Sequence, residues 1–227
     1  TAGRLTISDQ AITVTGEISV DTANLLNETT SGVVTASIAT TETVDELITL
    51  AGTGNAYTIV IAEEDATGST ASELTTIDNA TTVVVDATAV NEVTGSNTEI
   101  NTLYGSGGVN GLGDEIIIIT NDLTVAEANE IDLLTTDVVT ATIISSETVE
   151  TLKTLTGVNE YSITINAVDA TSTTAADLNA INALTSDIVN LINVTELAES
   201  SLSDLETLGA AITDNEFSNV AGLTTIE

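Results

Sequence analysis

Short β-branched runs alternate along this chain with segments whose apolar residues fall at i and i+3. The runs cover residues 11–14, 33–38, 57–61, 83–85, 116–119, 138–143, 162–165 and 188–192. Several are continuous rather than alternating, which predicts strands buried on both faces or nearly so. Between them, pairs such as Leu47/Leu50, Leu74/Ile77, Leu152/Leu155 and Leu205/Leu208 predict one helix of about two or three turns with a single apolar stripe. No hairpin dipeptides separate the runs, so strand, short helix and strand follow as parallel strands joined by crossover helices.

Spacing sets the architecture. Successive runs start 22, 24, 26, 33, 22, 24 and 26 residues apart, too close for a doubly wound βαβ unit of ~30 or more residues. They suit the ~20–29-residue coil of a leucine-rich-repeat style of stack. The helical half has a signature of its own, Ser/Thr-x-x-Asp/Glu-Leu/Ile-x-x-Leu/Ile, at 43–50, 70–77, 96–103, 174–181 and 201–208. A longer period overlies the short one: residues 33–38 and 43–50 return 105 positions later, at 138–143 and 148–155. The expected fold is therefore α/β: a right-handed β-α solenoid of about eight coils, with a parallel sheet and short helices. It is expected to run through residues 1–227 as one continuous domain, in two superunits of about 20–121 and 122–227. The long interval carries a Gly-rich insertion over 105–114, which reads as a loop added to an otherwise regular stack. A chain that opens on Thr1 is expected to be a piece of a longer protein.

Composition narrows the core and the partners. Aromatics are only 2% of the chain, so the interior has to be built from Val, Ile, Leu and Ala in narrow layers. Arg4 and Lys153 are the two basic residues against 35 acidic ones, a formal net charge of −33. A surface of that sign repels nucleic acid and anionic membranes and attracts cations. Mean hydropathy of +0.31 with a regular apolar pattern argues against disorder. No apolar run of ~18 residues is present, so no transmembrane helix is expected.

The carboxylates have a structural reading and a chemical one. Glu46, Glu73, Glu99, Glu127, Asp177 and Asp204 each sit three residues after a Ser or Thr. That is the spacing of a capping box, which satisfies orphan amides at a helix start. Residues 107–115 resemble a single imperfect copy of the Gly-Gly-x-Gly-x-Asp calcium repeat. This makes Asp114 and Glu115 the weak metal candidates, although such sites need tandem copies. Diffuse cation binding to stacked carboxylates is the stronger expectation: no cofactor is required, and calcium is the possible ion. His and Cys are absent, which removes triads and zinc sites, and no catalytic residues are expected. Carboxylate-pair glycoside hydrolysis is disfavoured by the scarcity of aromatic sugar platforms. Tyr57 and Tyr161 occupy equivalent strand positions and read as packing residues. The Asn-x-Thr matches at Asn27, Asn79 and Asn193 read as chance in a Thr-rich chain.

Three stretches, 94–115, 123–132 and 155–165, are similar to repeats in giant secreted cell-surface proteins of marine unicellular cyanobacteria. The likeness covers most of residues 20–210. It implies an extracellular, cell-surface location and a structural or adhesive role. The two ends of a coil stack expose unpaired backbone and an apolar cross-section. Residues 4–7 and 223–226 are β-prone and neither bulky nor strongly polar. The function expected from this is a repeat subunit of a fibre, sheath or surface layer that assembles head-to-tail. The alternative is a calcium- or glycan-binding adhesin module of a giant surface protein. Partners are then further copies of the chain, cations or surface glycans, with neither nucleic acid nor membrane insertion.

Overall fold

The computed structural model describes residues 8–62 and 67–223. Residues 4–7 and 224–226 of the β-prone end segments lie outside the described residues. The chain is α/β, with small, split parallel sheets and short helices, and it divides into two compact units, Thr1–Glu115 and Ile116–Glu227.

In the first unit the order is β1 (Ile12–Ile18), α1 (Val20–Thr29), β2 (Val34–Ile38), α2 (Val44–Leu47) and β3 (Ala56–Thr58). It continues with β4 (Ser69–Thr70), α3 (Ala71–Ala80), β5 (Val85–Asp86), β6 (Glu92–Gly95), α4 (Asn97–Ser106) and β7 (Val109–Asn110). β1, β2 and β3 pair in parallel, with Ile12 opposite Val34 and Ala36 opposite Tyr57. A single bridge, Val60 to Asp86, carries the pairing towards β5, and β5 pairs with β7.

The second unit repeats this plan. Its elements are β8 (Ile116–Ile119), α5 (Val125–Asp132), β9 (Val139–Thr142), α6 (Val149–Leu152), β10 (Glu160–Ser162), α7 (Ala175–Asn182), β11 (Val189–Asn190), α8 (Leu202–Thr213) and β12 (Phe217–Ser218). β8, β9 and β10 pair in parallel, a Thr164–Asn190 bridge follows, and β11 pairs with β12. Among the described residues no helix is long and apolar enough to cross a membrane.

All eight β-branched runs become strands in parallel ladders, but they are not buried on both faces. In β2, Val34, Ala36 and Ile38 are buried while Thr35 and Ser37 are exposed. In β8, Ile117 and Ile119 are buried while Ile116 and Ile118 are half-covered. The helices cover one face only, so an apolar run has no burial to offer its outward residues. The inward face meets helix stripes such as Ala71, Leu74, Ile77 and Ala80 of α3, and Ala175, Leu178 and Ile181 of α7. Tyr57 and Tyr161 are fully buried in this layer.

The Gly-rich segment is also more than an inserted loop. Gly107 takes the left-handed conformation that ends α4 (φ +68°), as helix C-termini favour. Val109 and Asn110 then supply a strand rung against Val85 and Asp86. Glycines disguised a regular repeat position.

Candidate functional site

The acidic residues take up defined structural positions. Glu46, Glu73, Glu99, Glu127 and Asp177 each close a reciprocal capping box. At Glu99 the backbone N–H and then the hydroxyl of Ser96 hold the carboxyl below its usual range. Asp204 has only half of the arrangement: its amide donates to Ser201 Oγ at 3.2 Å, without the returning bond to the Ser201 backbone.

A second set of side chains, three carboxylates and a serine hydroxyl, caps helices of the preceding repeat and was missed by sequence reasoning. The first amide of α1, Val20, donates to Glu42 at 3.1 Å, and that of α5, Val125, to Glu147 at 3.1 Å. Val149 of α6 donates to Asp169 at 3.0 Å, and Ala175 of α7 to Ser200 Oγ at 2.9 Å. Each contact satisfies an orphan N–H and places an acceptor at the positive end of a helix. The 105-residue spacing of Glu42 and Glu147 is the signal by which the set was detectable.

Amide and hydroxyl side chains join neighbouring repeats in the same way. Asn24 donates to Thr49 O and accepts from Ala51 N; Asn129 does the same with Thr154 and Thr156. Deeper in, buried Asn55 accepts from Val34 N at 2.9 Å and donates to Asn27 at 3.1 Å. Its counterpart Asn159 accepts from Val139 N at 2.8 Å and donates to Asp132 at 2.7 Å and to Tyr161 Oη at 3.1 Å. Close approach here requires Gly157: its φ is +71°, and a Cβ would sit 2.6 Å from Asp132 Oδ1. Burial, then the Asp132 charge, push the Tyr161 phenol well above its usual range. Thr81 and Thr185 replace a backbone rung, since each hydroxyl donates to the carbonyl of the preceding repeat's tyrosine and accepts that tyrosine's N–H.

Lys153 is the one described basic side chain, and it spans two repeats with 2.7 Å contacts to Glu150 and Asp177. Hydrogen bonds to Asp177 and then Glu150 raise its pKa above the usual 10.5. Burial pushes the Asp177 carboxyl up, but hydrogen bonds from Lys153 and Thr174 outweigh it and hold the group below 3.8. A depressed acid stabilises the fold above its unfolded pKa and loses that contribution as pH falls through the folded one. A raised base loses its contribution as pH rises past its own. We expect Lys153→Met to cost about 1 kcal/mol at pH 7. In urea titrations the gap from the parent should narrow below about pH 4 and above about pH 10.5; a gap that stays constant across pH would refute the assignment.

The two residues singled out for calcium are differently placed. Asp114 is exposed, whereas Glu115 is fully buried and its Oε2 accepts from the amides of Gly113 (2.6 Å) and Asp114 (3.1 Å). Among the described residues no group of three or more His, Cys, Asp or Glu is arranged to hold a metal ion. Of the Asn-x-Thr matches, Asn79 and Asn193 donate to the carbonyls of Thr75 and Ile165, and Asn27 accepts from Asn55.

An apolar cavity lies in the last repeat of the second unit. There α8 and the turn at Val220–Gly222 border a cavity of about 240 Å³ lined by Leu197, Leu205, Leu208, Ile212, Val220 and Leu223. Leu205 and Ile212 are half-exposed on its wall. No protein-family model, curated protein or solved structure matches the chain, so its own residues carry the functional reading.

Proposed function

We propose that this chain is an extracellular structural protein. In this reading it is a right-handed β-α solenoid of about eight coils that serves as the repeat subunit of a cell-surface fibre, sheath or surface layer, assembling head-to-tail. One observation carries it: the side chains that catalysis or ligand binding would need are spent on joining each coil to the next. Glu42, Glu147 and Asp169 cap the neighbouring helix. Asn24, Asn129 and Asn159 bridge backbone groups of adjacent coils, and Thr81 and Thr185 complete their ladders. Such investment stiffens the join between one repeat and the next, which is what a scaffold needs.

In this reading the protein is not an enzyme and requires no cofactor. Cations, calcium among them, act as counter-ions that screen a charge of −33. Electron microscopy of the purified protein, at rising ionic strength and with added calcium, tests the proposal. Fibres or sheets are expected; monodisperse particles under every condition would remove the polymer. The adhesin alternative draws on the exposed hydroxyls of the first unit's sheet at Thr35, Ser37 and Thr58. It predicts monomers that bind calcium or glycans with a measurable heat in calorimetry.

A further inference from the structure

The first and last strand–helix repeats carry apolar residues whose internal counterparts are buried. In the first repeat Ile12, Val14, Ile18 and Leu26 are only half-covered. The residues 105 positions on, Ile117, Ile119, Leu123 and Ile131, occupy the same places in β8, α5 and their junction. They are 0%, 7%, 0% and 0% exposed. In the last repeat Leu205 is half-exposed, while its equivalent in α4, Ile100, is 0% exposed. Both follow the same Ser-x-x-acid start, at Ser96 and Ser201. Apolar residues at five matching positions are thus buried in the internal repeats and only half-covered in the first and last ones.

Chain order shows which elements follow a repeat of the α8–β12 type elsewhere in the chain. The equivalent pair α4–β7 is followed in sequence by β8 and α5, which are homologous to β1 and α1. We propose that the last repeat of one copy, α8 with β12 and the 240 Å³ cavity, seats the first repeat of a second copy, β1 with α1. β12 pairs only with β11, and β1 only with β2, among the described residues. Every named strand pair is parallel, so a second copy that adds β1 at an open strand edge keeps the same polarity. Ile12, Val14, Ile18 and Leu26 then pack against Leu205, Leu208, Ile212 and Leu223. The contact joins two different surfaces and does not close on itself, so it propagates. With −33 on each copy, repulsion opposes it at low salt, and association strengthens as the charge is screened.

This inference rests on the scaffold reading and is separable from it by experiment. Sedimentation velocity of the full chain across concentration and salt gives the baseline, for which growing oligomers are expected. Leu205→Asp and Leu26→Asp each block one surface, and each should weaken self-association by at least about tenfold, because a carboxylate would be buried without a partner. Mixed in equal amounts, the two variants retain one sound surface of each kind and should form a dimer that grows no further. Circular dichroism and urea midpoints check folding; where an Asp variant unfolds, Leu205→Ala and Leu26→Ala replace it, with a smaller loss expected. If the parent assembles and the variants assemble equally well, the interface is wrong while the scaffold reading stands. If the variants fail to complement, the heterologous pairing is wrong. A parent that stays monomeric throughout overturns both.

Discussion

Asn159→Ala is expected to lower unfolding free energy by about 3–5 kcal/mol, a large loss for a polar residue. The side chain is 2% exposed and every polar position on it is used. Its oxygen holds the Val139 amide at 2.8 Å, and its nitrogen serves Asp132 at 2.7 Å and Tyr161 Oη at 3.1 Å. Truncation leaves a strand amide, a carboxylate oxygen and a buried phenol without those partners, and unmade buried bonds cost more than made ones contribute. The equivalent Asn55→Ala should cost less, because Asn55 donates to neutral Asn27 rather than to a carboxylate. Equilibrium urea unfolding of both variants checks the prediction. A loss under about 1 kcal/mol for Asn159→Ala would mean that the bridge between repeats is dispensable.

Thr185→Val keeps the shape of the side chain and removes only its hydroxyl, and a loss of about 2–4 kcal/mol is expected. That hydroxyl donates to Tyr161 O at 2.8 Å and accepts from Tyr161 N and Asp187 N, both at 3.0 Å. Three backbone groups in or beside a buried ladder therefore lose their partner at once. Thr185→Ser retains the hydroxyl and should stay within about 1 kcal/mol of the parent. Amide hydrogen exchange gives a local readout: protection at Tyr161 should fall sharply in the valine variant and little in the serine one. A valine variant that matches the parent in both readouts would show these hydrogen bonds to be dispensable.

The features legible in the sequence were those written within a few residues. β-branched runs gave the eight main strands, and the Ser/Thr-x-x-Asp/Glu spacing gave the helix starts, with Asp204 falling short by one bond. Helix α1 escaped because its cap, Ser19, is followed at the third position by Thr22 rather than an acid. The two-residue strands β4, β7 and β12 have no periodicity to read, and β7 was hidden among glycines. Contacts between repeats were harder still. Asn129 and Thr154 lie 25 residues apart, and only the recurrence of Asn24 at Asn129 hints at a shared task. As for the candidate calcium residues, adjacency in sequence concealed that Asp114 is exposed and Glu115 buried. The uncovered ends could not be read at all, since Ile12 and Ile117 share one pattern and differ only in what surrounds them.

The near-absence of basic residues has a consequence for proteolysis. Trypsin-like proteases cut after Lys or Arg, and the whole sequence offers them two positions, Arg4 and Lys153. Lys153 is a poor target: it sits in helical conformation at the end of α6, with its amine held between two carboxylates. Cleavage needs an extended, accessible stretch of backbone, so digestion there has to wait for local opening. A chain of this composition offers one of the commonest classes of protease few places to begin.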